Sequence, residues 1–298
     1  MEKLIKEIIV NGVKMWQVTT PDSRWYGREV KNQETGLPEI EWLPSDTWIM
    51  SYYYKSPYLI KWMQEKGVDE AETIKKEAGT KGDRIHKGCE VINTGKEVAM
   101  TDQFLNKETK QMEELSVEEY EAIISYKNCV DEMKPQILAY EMAVFSKLSG
   151  GTLDGIWAIP TSEVTRQIYI IDIKSSKSIY KSMIGQISSY SHKDIDYKLL
   201  GITDEEWENR KLAILQVGYN RNKNGWKWTE VDDKYNLFEI AYATWKEENP
   251  TAKPRQIELP MKIKSAWIAS QTEPKIAELA PIKKVVAKRI KTIAKAKK

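Results

Sequence analysis

In the segment GTLDGIWAIPTSEVTRQIYIIDIK (151–174), the charged residues Asp154, Asp172 and Lys174 interrupt two apolar runs. Residues two apart in a strand share a face, so Asp172 and Lys174 point one way and Ile173 the other. The polar stretch PTSEVTR joins the runs as a turn, and centring that turn on Glu163 sets Asp154 directly across from Asp172. Their β-carbons would lie about 4.5–5.5 Å apart. Like charges facing each other in a sheet are unfavourable unless a cation lies between them, and hard carboxylate oxygens suit Mg²⁺ or Mn²⁺. An Asp beside a turn is often just a cap, and a Lys beside an Asp is often just a surface pair. Neither role explains three charges on one face of a hairpin otherwise built from Ile168, Ile170, Ile171 and Ile173.

The elements that must position this hairpin can be read from periodicity. Residues 4–50 alternate short β-rich runs with turn signals such as Asn11-Gly12 and Gly36-Leu37-Pro38, a hairpin-rich extension assigned to 1–65. Helical spacing follows over 57–66 and 69–77. Gly79 and Gly82 break it, and a new helix starts near Asp83 and carries His86 and Glu90. Residues 116–147 read as one or two helices, opened by a Ser116/Glu119 capping box and broken at Pro135. After the hairpin come a helix over 178–192, a buried strand at KLAILQVGY (211–219), a turn at Asn222–Gly225 leading into WKWTEV, and an amphipathic helix at YNLFEIAYATWKEEN. The fold class is α/β, a mixed central sheet covered by helices, with a core over 66–250 and a basic segment over 251–298.

Bulk composition is that of an ordinary globular protein: 298 residues, 41% hydrophobic, 30% charged, formal net charge +2. No apolar run reaches the roughly 20 residues a spanning helix requires, and MEKLIKEIIV is too charged and short for a signal peptide, so a cytoplasmic protein without a membrane partner is expected. Cys89 and Cys129 are too few for a disulfide framework and lack CxxC spacing. The run PIKKVVAKRIKTIAKAKK (281–298) contains no acid; it either contacts phosphates or merely aids solubility. Of the eleven tryptophans, Trp16, Trp25, Trp42 and Trp48 are the candidates for stacking on bases.

The ordered series Gly82-Asp83-Arg84-Ile85-His86, Gly151-Thr152-Leu153-Asp154-Gly155, Ile171-Asp172-Ile173-Lys174 and Gln186 to Tyr190 resembles the RecB-like exonucleases of the PD-(D/E)XK superfamily. The likeness spans about residues 79–190, and the upstream LPSDTWIMSYY and LIKWMQEKG are similar to stretches in phage-encoded members. The resemblance implies a restriction-endonuclease-like core and a metal-dependent DNA exonuclease of recombination, repair or phage DNA processing, in the bacterial host cytoplasm if phage-encoded. It implies Asp154, Asp172 and Lys174 as catalytic residues. The implied ligands of Mg²⁺ or Mn²⁺ are His86, Asp154, Asp172 and the Ile173 backbone carbonyl, with Lys174 orienting or activating water and stabilising charge on the phosphate. Gln186 and Tyr190, at i and i+4 on one helix face, would position substrate.

Glu90, one turn after His86, either holds the imidazole, contacts a second metal or is a solvated carboxylate; Glu141 lies near a position that is commonly acidic in the family. Two cysteines where some branches carry four exclude an iron–sulfur cluster, and no GxxxxGK[ST] loop provides for a nucleotide cofactor. The expected partners are DNA and a recombination or single-strand-binding protein. An endonuclease on the same chemistry and an inactive DNA-end-binding protein are the competing readings.

Overall fold

The computed structural model describes residues 4–254 except 11–12, 20–22, 54, 108 and 252. The turn at Asn11-Gly12 and all but the first few residues of the basic segment therefore lie outside the described residues. Among the described residues there are eleven strands, seven α-helices and one short 3-10 helix (Tyr197–Leu200). An antiparallel meander comes first: β1 (Leu4–Val10), β2 (Val13–Thr19), β3 (Arg24–Lys31) and β4 (Pro38–Pro44). Next are α1 (Asp46–Met50), α2 (Pro57–Lys66), α3 (Val68–Asn93), the small hairpin β5 (Gln103–Leu105) and β6 (Met112–Glu114), and α4 (Val117–Met133). The central sheet comprises β7 (Gln136–Phe145), β8 (Gly150–Pro160), β9 (Arg166–Lys174), β10 (Lys211–Val217) and β11 (Trp226–Val231). Helices α5 (Lys181–Ser191), α6 (Asp204–Glu208) and α7 (Tyr235–Glu248) complete it.

The chain is thus a mixed α/β protein with a five-stranded mixed sheet flanked by helices, in the order β11-β10-β9-β8-β7. Only the β9–β10 pairing is parallel. Because β9 is central it needs apolar residues on both faces, which explains the unbroken isoleucine run. Ile171 and Ile173 pack with Trp157, Ile85, Cys89 and Tyr126 on the α3–α4 side. Ile168 and Ile170 pack with Ile187 and Tyr190 on the α5 side, the row that Asp172 continues.

Two expectations are corrected. Residues 136–145 form the edge strand β7, not a helix: α4 stops at Met133, Lys134 takes the left-handed cap conformation (φ 46°), and Gln136–Phe145 pairs along β8. Ala, Glu, Leu and Met favour helix locally, but the ladder offered by β8 outweighs that preference. Gly79 and Gly82 do not break the helix either, since α3 runs unbroken for 26 residues. Each interior glycine costs about 1 kcal/mol, a penalty offset by the helix's packing through Ile85 and Cys89. The capping box at Ser116/Glu119 forms as read. So does the register of the main hairpin, from Pro160 opposite Arg166 to Gly155 opposite Ile171.

The N-terminal meander joins the core at a buried ionic cluster. Lys193 Nζ lies 2.7 Å from Asp46 Oδ1, to which Ser149 Oγ also donates at 2.6 Å, and both charged side chains are essentially inaccessible (1% and 0%). Burial lowers the Lys193 pKa, while the Asp46 carboxylate opposes that effect. The pair fixes α1 against the end of α5 and the start of β8, where Ser45 also bridges Gly150. Removing one partner strands the other as a buried charge, so Lys193→Met should cost about 3–5 kcal/mol in urea unfolding. The double variant Asp46→Leu/Lys193→Met should recover most of that loss. Equal destabilisation by the single and double variants would contradict this account.

Candidate metal and catalytic site

Beyond the Gly155–Ile171 pair, β8 and β9 part. β8 continues backwards along β7, while β9 continues along β10 as far as Lys174 opposite Gln216. The fork leaves groups at Asp154, Asp172 and Ile173 without partners across it, and these groups turn to one another. Asp154 Oδ2 accepts the Ile173 N–H at 2.6 Å, a bond that replaces the missing ladder contact. Lys174 Nζ lies 2.7 Å from both Asp172 oxygens and hydrogen-bonds to Oδ1, leaving the buried Oδ2 without a hydrogen bond.

Helix α3 brings His86 over the fork. Its Nε2 donates to the Ile173 carbonyl at 3.0 Å, and its Nδ1 lies 3.4 Å from Asp154 Oδ1 and 3.5 Å from Glu141 Oε1. His86, Glu141 and Asp154 can each direct one ligand atom so that all three lie within 4.8 Å of one another. Glu141 holds a left-handed backbone (φ 45°), an uncommon and costly state for a non-glycine residue, and the β7–β8 ladder skips it between Tyr140–Gly155 and Met142–Leu153. Of the expected metal set, the fold assembles His86 and Asp154 around the Ile173 carbonyl. Asp172 sits beside them, tied to Lys174 and outside the three-residue group. Glu141, noted in the sequence only for lying near a commonly acidic position, joins the group in place of Asp172. Its signal was an acid inside an apolar run one strand away from Asp154, concealed by reading that run as helix.

Among the described residues, the carboxylates of Glu141, Asp154 and Asp172 thus have His86 and Lys174 as their ion-pair partners. Burial disfavours the charged imidazole, but the Asp154 carboxylate and hydrogen bonds to Asp154 and Glu141 outweigh it and raise the His86 pKa well above its usual value. Burial likewise works against Asp154, yet His86, Lys174 and the Ile173 amide hold its carboxyl below the ordinary range. Asp172 goes the other way. Burial lifts it to about 6, opposed by Lys174 and reinforced by Asp154. Lys174 is disfavoured by burial but raised by Asp172 and Asp154, so it is an ammonium at neutral pH. The donor set, one imidazole and two carboxylates with a backbone carbonyl adjacent, fits a divalent ion; the nitrogen tilts the balance from Mg²⁺ toward Mn²⁺.

The group opens into a cleft of about 1660 Å³ at the forked end of the sheet. One wall is α3 with the β5–β6 hairpin, and the other is α5 with α1 and the N-terminal meander. Gln186 and Tyr190 line the second wall and bond to each other, Gln186 Nε2 to Tyr190 Oη at 2.7 Å, with Thr47 Oγ1 of α1 at 3.3 Å from the same nitrogen. Gly151 is required there, because a Cβ would collide with Asp46 and the Tyr190 ring. Glu90 also lines the cleft but is paired with Lys87 at 2.6 Å, outside the His86 group. His192 is remote from the fork, bonded to Asp233 and stacked on Tyr235. Among the tryptophans singled out, Trp25 is buried and packs edge-on with Trp48, and Trp42 closes over Gly27; only Trp48 lines the cleft.

A metal ion bound at this group would have to displace protons, which sets the sign of its pH dependence. The raised imidazole pKa favours a protonated His86, and burial lifts Asp172 to about 6, so a metal ion would compete with protons at both groups. Mn²⁺ affinity, measured by electron paramagnetic resonance between about pH 5.5 and 8, should therefore rise with pH by up to about tenfold per unit for each proton released. His86→Ala should weaken binding and flatten that dependence. A pH-independent affinity would argue against this site.

A scan against protein-family models and searches of curated proteins and of solved structures give no match, so the cleft's function is read from its own side chains.

Proposed function

We propose that this chain is a divalent-metal-dependent deoxyribonuclease that hydrolyses DNA phosphodiester bonds, on a restriction-endonuclease-like core of the RecB-like type and acting from DNA ends. The observation that carries this reading is the convergence of His86, Glu141 and Asp154 within 4.8 Å, beside the buried Asp172–Lys174 pair, at an open cleft. A structural ion site would be closed by its ligands, whereas His86 and Lys174 keep 24% and 20% of their side-chain surface accessible. Paired carboxylates in a cleft repel a phosphodiester unless a cation intervenes, so a pure phosphate-binding role would not call for them.

Bound Mg²⁺ or Mn²⁺ supplies a water of lowered pKa and polarises the phosphoryl oxygen. The protein supplies orientation and charge. Glu141, Asp154 and His86 would hold the ion, with Asp172 and the Ile173 carbonyl alongside. Lys174 already carries a proton, so its role is electrostatic: it stabilises negative charge growing on the phosphate and aligns the attacking water. Gln186 and Tyr190 offer amide and phenol groups to the substrate from the α5 wall. Roles in recombination, repair or phage DNA processing, and a partner from those processes, follow from the sequence resemblance.

Purified protein should cut linear DNA with Mg²⁺ or Mn²⁺ and not with EDTA, and should spare covalently closed circles if it acts from ends. Asp172→Ala and Lys174→Ala should each lower the rate by at least about 10²–10³-fold with DNA binding retained. Glu141→Gln should lower it as well and raise the Mn²⁺ concentration needed for half-maximal cutting. Retained cutting in both the Asp172 and Lys174 variants would misplace the site. Failure to cut single- or double-stranded DNA with any divalent metal would end the enzyme reading.

A further inference from the structure

At the fork β9 stops accompanying β8, and the half of β8 that leads to Asp154 keeps only β7 as a ladder partner. Residues 150–153 pair with 145–142, and β9 joins only at Gly155. The other side of this half-strand is an open edge that something else must cover. The N-terminal meander covers it. Ser45, directly after β4, bridges Gly150 in parallel. Tyr26 of β3 lies against the same glycine, where a Cβ would stand 2.6 Å from the tyrosine ring. Its hydroxyl accepts from Gln17 Nε2 at 3.2 Å and shares a hydrogen bond with Thr152 Oγ1 at 3.1 Å.

Alternation puts Thr152 and Asp154 on the Gly150 face of the strand, and Gly151 on the other face, against Asp46 and the Tyr190 ring. The consecutive glycines therefore let one tyrosine press on the backbone from each face. Tyr26 is itself firmly held: it is 1% exposed and packs with Met15, Leu43 and Phe145, the last edge-on with ring centroids 5.4 Å apart. A ring fixed in this way gives its hydroxyl one place to stand. What fixes Thr152 also fixes the strand from which the Asp154 carboxylate reaches the Ile173 amide and the His86 ring.

We propose that Tyr26 is a positioning residue for the metal group, acting through Thr152: the meander takes the place of β9 beside this half of β8 and so sets where Asp154 stands. This rests on the metal site described above, but its test reads Mn²⁺ binding and needs neither DNA nor cutting.

Electron paramagnetic resonance at fixed pH would compare the Mn²⁺ affinity of the full-length wild type with that of Tyr26→Phe, which loses only the hydroxyl, and Thr152→Val, which removes the other half of the bond. Each single variant should bind Mn²⁺ about three- to tenfold more weakly, the effect of one hydrogen bond standing behind a ligand. The double variant should be no weaker than Thr152→Val, because both residues act through one bond. Thr152→Ser keeps the hydroxyl and should bind within about twofold of wild type. Ile168→Val, a truncation in the core at the far end of β9, should lower the urea midpoint and leave the affinity unchanged, which a merely structural role for Tyr26 would not predict.

The inference fails if Tyr26→Phe and Thr152→Val bind as wild type does, if their losses add in the double variant, or if Ile168→Val costs as much affinity. Should one single variant fail to fold by circular dichroism, the other decides. A wild type that binds no Mn²⁺ would instead remove the metal site, and the inference with it.

Discussion

Three carboxyl groups are brought close together in a partly buried space at the sheet's end, and like charges so placed repel one another unless cations stand among them. Glu141, Asp154 and Asp172 come from three neighbouring strands, and His86 and Lys174 stand among them. The compensation is incomplete, with two cations for three anions. Their pKa values are accordingly driven apart: Asp154 is held low by its hydrogen bonds and cations, while Asp172, more deeply buried, is pushed up toward neutrality. Protons and a divalent ion would compete at a site arranged in this way.

The fork between β8 and β9 makes such crowding possible. A continuous ladder would occupy the Ile173 amide and carbonyl with strand bonds and would close the sheet over the carboxylates. Parting the strands after Gly155 gives the amide to Asp154 and the carbonyl to His86. β9 survives the loss of one neighbour because β10 accompanies it in parallel to Lys174, and its isoleucines remain packed on both faces. The strained backbone of Glu141 belongs to the same economy: a φ of 45° is tolerated in an edge strand where the ladder is already interrupted.

The N-terminal meander is joined to this site through Asp46 and Lys193. An ion pair buried to this degree adds little net stability over an apolar pair, but it punishes misplacement of α1 strongly. α1 contributes Thr47 to the Gln186–Tyr190 wall, and the Ser45 N–H at its cap donates to the carbonyl of Arg24 at the start of β3, so the meander forms a wall of the cleft as well as covering the core.

Local order in the sequence carried much of this. The alternation in 152–174 and the polar turn between its halves specify the hairpin register, because a one-residue slip would exchange the buried isoleucines for the charges. His86, Asp154, Asp172 and Lys174 were legible for that reason and through the ordered motifs around them, as was the i,i+4 pairing of Gln186 with Tyr190. The tertiary structure alone decided the rest. Residues 136–145 have helix-forming composition and became a strand only because β8 presented an edge, and with that change Glu141 entered the site. Gly79 and Gly82 stayed helical because core contacts hold α3. Asp46 finds Lys193 across 147 positions. Periodicity reports which face of an element is apolar, whereas the partner of a charge distant in sequence is fixed only when the packed elements bring both groups out of water together.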